Sequence, residues 1–191
     1  MLMSRWEPNA RERLAQAALD LYAERGFEQT TVAEIARRAG LTERTFFRHY
    51  ADKREVLFAG GAELQAVMVR GVLDAPDSAA PIEAVAAGLQ AGAEMLEDRR
   101  EFAGRRAAVI AASAELQERE LIKMATLAAA LADALRGRGV AEPTASLTAQ
   151  AGIAVFHVAF ARWIEEGTER PLRLVIRESL DELKAVTAAA R

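Results

Sequence analysis

The chain has 191 residues, of which 51% are apolar and 28% charged, and a formal net charge of -3. Domains run to roughly 100–200 residues, so this length suits one domain, or two small ones sharing a core. With no Cys there are no disulfides, thiolate metal sites or Cys nucleophiles, a pattern that fits a reducing compartment; the whole-chain acidity disfavours a general nucleic-acid binder.

Apolar residues recur at three- and four-residue spacing and no run of alternating β-branched residues occurs, which predicts an all-α fold of about nine helices. Residues 1–9 lack an apolar core and hold Arg5, Glu7 and Pro8, unlike a signal peptide. Asn9 and Glu12 have capping-box-like spacing and open a first helix to Arg25, where Gly26 stops it and Phe27 folds back. Thr31 and Glu34 form a second capping box for a short helix to Ala39, broken by Gly40. Thr42 caps a third helix, residues 43–50, and Asp52 a fourth, residues 53–73. Five more are expected at about 81–96, 98–112, 114–136, 144–166 and 171–190, with Gly137, Gly139 and Gly167 as stops. The stretch 143–161 carries no charge, but its Ser, Thr, Gln, Gly and His and its many Ala suit a helix buried in protein better than a membrane span.

The sharpest signal is TTVAEIARRAGLTERTFFRHYADK, residues 30–53. Val32, Ile35, Ala36 and Ala39 bury one face of the second helix, and Leu41 plugs the turn. Phe46 and Tyr50 bury the inner face of the third, leaving Glu43, Arg44, Phe47 and Arg48 outward, with Thr42 and Thr45 at the edge. A recognition helix needs this division, because its outward side chains must reach base edges in the major groove. Charge agrees: residues 31–54 sum to +3 and residues 55–191 to -5. A local positive patch governs attraction to phosphates more than the total does.

The motifs AALDLYAERGF, TTVAEIARRAGL and TERTFFRHYADKREVL, in residues 17–58, resemble the N-terminal DNA-binding domain of the TetR family of bacterial transcriptional regulators. The resemblance implies a DNA-binding domain at 1–52 and a helical ligand-binding and dimerisation domain at 53–191. It implies a cytoplasmic homodimer that binds a pseudo-palindromic double-stranded DNA operator, most often as a repressor. A small-molecule effector would respace the two DNA-reading heads, with the fourth helix as lever. No cofactor, metal or membrane is expected. Carried over by position, Thr31 binds phosphate and Thr42, Glu43, Arg44 and Thr45 read bases. Phe47 stands where many members have a phosphate-binding Tyr, leaving an apolar contact such as a thymine methyl. Arg48 lies on the same outward face, and His49, Tyr50 and Lys53 fall near phosphates, although Tyr50 more often appears as a buried Phe. Glu43 either accepts from cytosine or pairs with Arg44 or Arg48; the second reading is preferred.

In the C-terminal part, Ala145, Ala149, Gly152, Phe156 and Trp163 form one stripe and Leu172, Ile176, Leu180 and Leu183 another, together an expected four-helix dimer seam. Monomer packing is the alternative. Pocket candidates are Phe58, Met68, Met95, Phe102, Met124, Phe156 and Phe160, with His157 read as a core histidine. Arg105 and Arg106, in a basic cluster with Arg99 and Arg100, would suit an acyl-CoA-like effector, as the resemblance implies for some members; a hydrophobic effector or a solvated charged face are the other readings. An all-helical enzyme is the rival class, without a phosphate loop or a base-partnered nucleophile to support it. A DNA-independent interaction module is the third reading.

Overall fold

The computed structural model describes residues 9–165 and 170–188. Among these there are ten helices and no strand: α1 Ala10–Arg25, α2 Val32–Arg38, α3 Glu43–His49, α4 Glu55–Phe58, α5 Gly61–Leu73, α6 Pro81–Glu97, α7 Arg100–Ala111, α8 Ala114–Gly137, α9 Thr144–Glu165 and α10 Leu172–Ala188. The expected helix ends at Glu166 and Ala190, and the stop at Gly167, lie outside the described residues.

Local chemistry explains most boundaries. Asn9 accepts from the Glu12 N–H at 3.0 Å, and Thr42 from the Thr45 N–H at 3.2 Å. Thr31 and Glu34 satisfy each other's backbone N–H in a complete capping box. The α2 terminus is a Schellman motif: the Leu41 N–H reaches the Ala36 carbonyl, the Gly40 N–H reaches Arg37, and Gly40 takes φ 65°. The same pair of bonds, with Gly139 at φ 85°, ends α8. The segment expected as one fourth helix is two, α4 and α5. Asp52 does open it, accepting from the N–H groups of Arg54 and Glu55. The break falls at Ala59–Gly60, where the pair Gly60–Gly61 has the weakest helix propensity in the segment.

The chain forms two compact units. Unit 1 is Met1–Gly60 with Arg105–Glu118. Its interior holds Leu14, Ala18, Leu19, Ile35 and Phe46, each fully buried, and Tyr22 meets Phe27 edge-on at 5.3 Å. Three contacts tie the 105–118 segment into it. Arg105 pairs with Asp20 at 2.6 Å, the Arg106 Nε donates to the Leu57 carbonyl, and Arg54 pairs with Glu115 at 3.1 Å.

Unit 2 is Gly61–Gly104 with Arg119–Arg191. Here α6 packs against α5, α9 and α10. Glycines set the approach. A Cβ on Gly71 would lie 2.8 Å from the Gly88 Cα, and one on Gly88 would lie 2.5 Å from the Met68 carbonyl oxygen. A Cβ on Gly152 of α9 would collide with Val85 of α6. The α9 helix is long and apolar enough to cross a membrane by length and composition, yet Ala145, Ala149, Ile153, Phe156 and Trp163 are buried against this core.

Candidate nucleic-acid interface

The outer face of α3 is built by its cap and its inner ring pair. Thr42 holds the first turn, while fully buried Phe46 and Tyr50, 5.5 Å apart, anchor the inner face. Phe47 stands outward at 55% exposure, edge-on to Phe46 at 5.4 Å. Glu43, Arg44 and Arg48 are exposed beside it. None of the three makes an ion pair or hydrogen bond among the described residues, so the expected pairing of Glu43 with Arg44 or Arg48 is absent. Thr45 is half-buried, its hydroxyl 3.1 Å from that of Thr42.

Those free guanidiniums contrast with other cations of unit 1. Arg38 is held by Glu24 at 2.7 Å, Arg25 by Glu34 at 2.9 Å and Arg54 by Asp52 at 2.7 Å. Hydrogen bonds from these partners hold the Glu24 and Asp52 carboxyls below the usual carboxylate range. Arg37 is exposed and makes no ion pair among the described residues, which adds it to the candidate interface. In sequence it is one of the cations behind the +3 of residues 31–54; only the pairing of its neighbour Arg38 with Glu24, fourteen residues away, separates the two.

Two expected phosphate contacts are otherwise engaged. The Lys53 Nζ donates to the carbonyls of Phe27 at 2.9 Å, Thr30 at 3.0 Å and Glu28 at 3.4 Å, and sits 4.3 Å over the Phe27 ring. An ammonium has three donors, and here they close the α1–α2 turn. Tyr50 is 5% exposed and its hydroxyl donates to the Arg11 carbonyl at 3.0 Å. Burial pushes its phenol, like that of Tyr22, above the ordinary tyrosine value. Tyr22 in turn donates to the Lys53 carbonyl at 2.6 Å. Thr31 is exposed, but its N–H and hydroxyl both donate to Glu34, so a phosphate there competes with a carboxylate. His49 is half-buried; its Nε2 is buried and makes no hydrogen bond among the described residues.

An open groove of about 610 Å³ lies between α1 and the α2–α3 turn. Three of its four charged groups are already engaged: Arg13 bonds the Ala39 carbonyl, Arg38 meets Glu24, and Asp20 meets Arg105.

The expected effector residues divide between the units. Phe58, Arg105 and Arg106 belong to unit 1, where Phe58 is buried under the Arg106 guanidinium at 4.9 Å. Met68, Met95, Phe102, Met124, Phe156, His157 and Phe160 belong to unit 2. Met68 is fully buried against Gly92, and Phe156 and Phe160 stack 6.0 Å apart. Met95, Phe102 and Met124 are half-buried. His157 is exposed, not a core histidine.

The expected dimer stripes face inward. Ala145, Ala149, Gly152, Phe156, Trp163, Leu172, Ile176 and Leu180 are all buried within the single chain, and Leu183 is half-buried on the same core. The small residue Gly152 gives a close helix contact, and its partner there is Val85 of α6 in the same chain, the monomer-packing alternative. The opposite side of α9 exposes Leu147, Ala154, Val158 and Ala161, and α10 exposes Leu174.

Comparison with known proteins agrees with this geometry. Residues 14–59 match the family model described as bacterial regulatory proteins, tetR family. Residues 79–188 match the model of the MftR C-terminal domain. The HTH-type transcriptional regulator TcmR of Streptomyces glaucescens is 32% identical over 81 residues, 42% of this chain and 36% of that protein. MftR of Mycobacterium tuberculosis is 37% identical over 65 residues, 34% of this chain and 32% of its own length. The chain thus spans about a third of the length of either relative. The structure of a SmeT–triclosan complex superposes with a TM-score of 0.64 at 21% identity, covering 92% of this chain and 91% of the other, a likeness of fold.

Proposed function

The chain belongs to the TetR family of bacterial regulatory proteins, and from that premise we propose that it is a repressor that binds a pseudo-palindromic operator as a homodimer and responds to a small-molecule effector in the cytoplasm. The family and the proteins it resembles are DNA-binding transcriptional regulators, not enzymes. The observation that carries the reading is the outer face of α3, where Arg44 and Arg48 stand exposed and unpaired on a rigidly capped helix. In this division of labour residues 1–52 read DNA, and residues 53–191 take effector and dimer contacts.

The dimer reading rests on the outer side of α9. Leu147, Ala151, Ala154, Val158 and Ala161 recur at four- and three-residue steps, the spacing of a helix seam. A pair of α9 and α10 helices from each subunit then forms the interface. Two recognition helices must sit about 34–36 Å apart to enter successive major grooves, and an effector acts by favouring one spacing over another. A hydrophobic effector suits the chain better than an acyl-CoA-like one, because Arg105 and Arg106 already engage Asp20, the Leu57 carbonyl and the Phe58 ring.

Binding of the selected duplex is measured against salt for the intact protein and for the R44A/R48A double variant. About eight phosphate contacts per dimer give a log-log slope near -7. The double variant is expected to lose specific binding while keeping its thermal unfolding midpoint; unchanged affinity overturns the assignment. Separately, L147E/V158E is expected to sediment as a monomer that keeps its helical circular dichroism. A persistent dimer places the seam elsewhere.

A further inference from the structure

We propose that Phe47 reads a thymine through its C5-methyl group, with Arg44 or Arg48 reading a guanine in a neighbouring base pair, so that each operator half-site is built on adjoining T and G. The inference rests on α3 being the recognition helix and adds what that helix recognises. Among the described residues of unit 1, Phe47 is the large apolar side chain left exposed, at 55%. Exposure of one apolar residue is ordinary; its surroundings are what matter. The ring is edge-on to fully buried Phe46, which fixes its direction outward. The next residue, and the one a turn earlier on the same face, are arginines whose side chains have no ion pair or hydrogen bond among the described residues.

Phe47 has no polar atom, so it cannot hydrogen-bond a phosphate or a base edge. The thymine methyl is the apolar feature that the major-groove edge presents, and guanine is the base whose O6 and N7 accept a bidentate guanidinium. Along the helix axis Arg44 and Phe47 are about 4.5 Å apart and Phe47 and Arg48 about 1.5 Å. One base-pair step is about 3.4 Å. The ring and a guanidinium are therefore spaced to meet adjoining base pairs. The edge contact with Phe46 limits the rotamers open to Phe47, so ordering the ring on binding costs less of what the methyl's burial contributes.

The experiment begins with selection from a randomised DNA duplex library using the intact protein, followed by replacement of the enriched thymine with deoxyuridine, which lacks only the methyl group. The expected loss is about four-fold per half-site and about fifteen-fold when both half-sites are changed, the worth of burying one methyl. The F47A variant, checked for an unchanged thermal midpoint, is expected to bind the thymine and deoxyuridine duplexes equally. An enriched site that lacks the T and G neighbours, or one indifferent to deoxyuridine, overturns the proposal and leaves the DNA-binding reading standing. Absence of any enriched sequence overturns both.

Discussion

The two units share one bracing device and differ in a second. In unit 1, long side chains reach backbone carbonyls: Lys53 to Phe27, Glu28 and Thr30, Tyr22 to Lys53, Tyr50 to Arg11, and Arg13 to Ala39. Unit 2 uses such struts too, Arg138 to Leu73, Ala75 and Pro76 and Arg100 to Trp163, but it adds a second device: side chains are removed so that helices touch, at Gly71 on Gly88, Gly92 under Met68 and Gly152 on Val85. Unit 1 has helices of only seven residues at α2 and α3, too short to bury much surface or to be stable alone. Polar struts position such helices to within a hydrogen bond's tolerance, which a base-reading surface requires. Unit 2 has α5 of 13 residues and α6, α9 and α10 of 17 to 22, long enough for close contact along their length to hold them.

The largest expected effect breaks the second device. G88V places methyl groups against the Met68 carbonyl and Val72, where backbone must move. It is expected to destabilise the protein by about 3 kcal/mol, the upper end for overpacking, read as a lower urea midpoint.

The first device is broken more gently by K53M, which keeps the stem and removes the three carbonyl bonds. A loss of about 2 kcal/mol is expected, within the range for charge-assisted hydrogen bonds. The same variant sharpens the contrast with Arg44 and Arg48. If Lys53 acts as a strut, the salt slope of DNA binding stays unchanged. A lysine that contacts phosphate would reduce the slope by about 0.9 per subunit.

The smallest effect is that of Y22F, about 1 kcal/mol for one hydrogen bond. It also carries a pH signature. Burial raises the Tyr22 phenol above its ordinary value of 10.0, with Asp52 adding to the shift. The unfolded chain therefore loses this proton at lower pH than the folded one, and stability falls as pH rises past about 10. Urea midpoints between pH 9 and 11, an interval of about two pH units around the ordinary phenol value, are expected to fall less steeply in Y22F than in the unaltered chain. Equal slopes would assign the alkaline loss to other groups.

Much of the head was readable from neighbours in sequence. Caps at Asn9, Thr31, Thr42 and Asp52 act over two or three residues, and the Gly26 and Gly40 stops over five or fewer. The outward set Glu43, Arg44, Phe47 and Arg48 followed from helical spacing against Phe46 and Tyr50. What could not be read was which cations are engaged. Lys53 has the same charge as the arginines of α3, and only the chain's return of Phe27 to Thr30 beneath it engages its ammonium. Arg105 looked like an anion site until Asp20, 85 residues earlier, arrived beside it.

Sequence by itself determined the all-α class, the helix-turn-helix, the family resemblance and a stripe of small residues on α9, because periodicity and capping are short-range. Tertiary structure alone decided which side of α9 faces inward, since Ala145, Ala149 and Gly152 name a close approach without naming its partner. It also decided which charges remain free. An ion pair or a carbonyl strut depends on residues far apart in the chain meeting in space, and no local pattern encodes that meeting. The acidity of the whole chain, which argued against nucleic acid, gives way for the same reason: the proposed DNA face is set by the arginines of α3 that make no ion pair among the described residues.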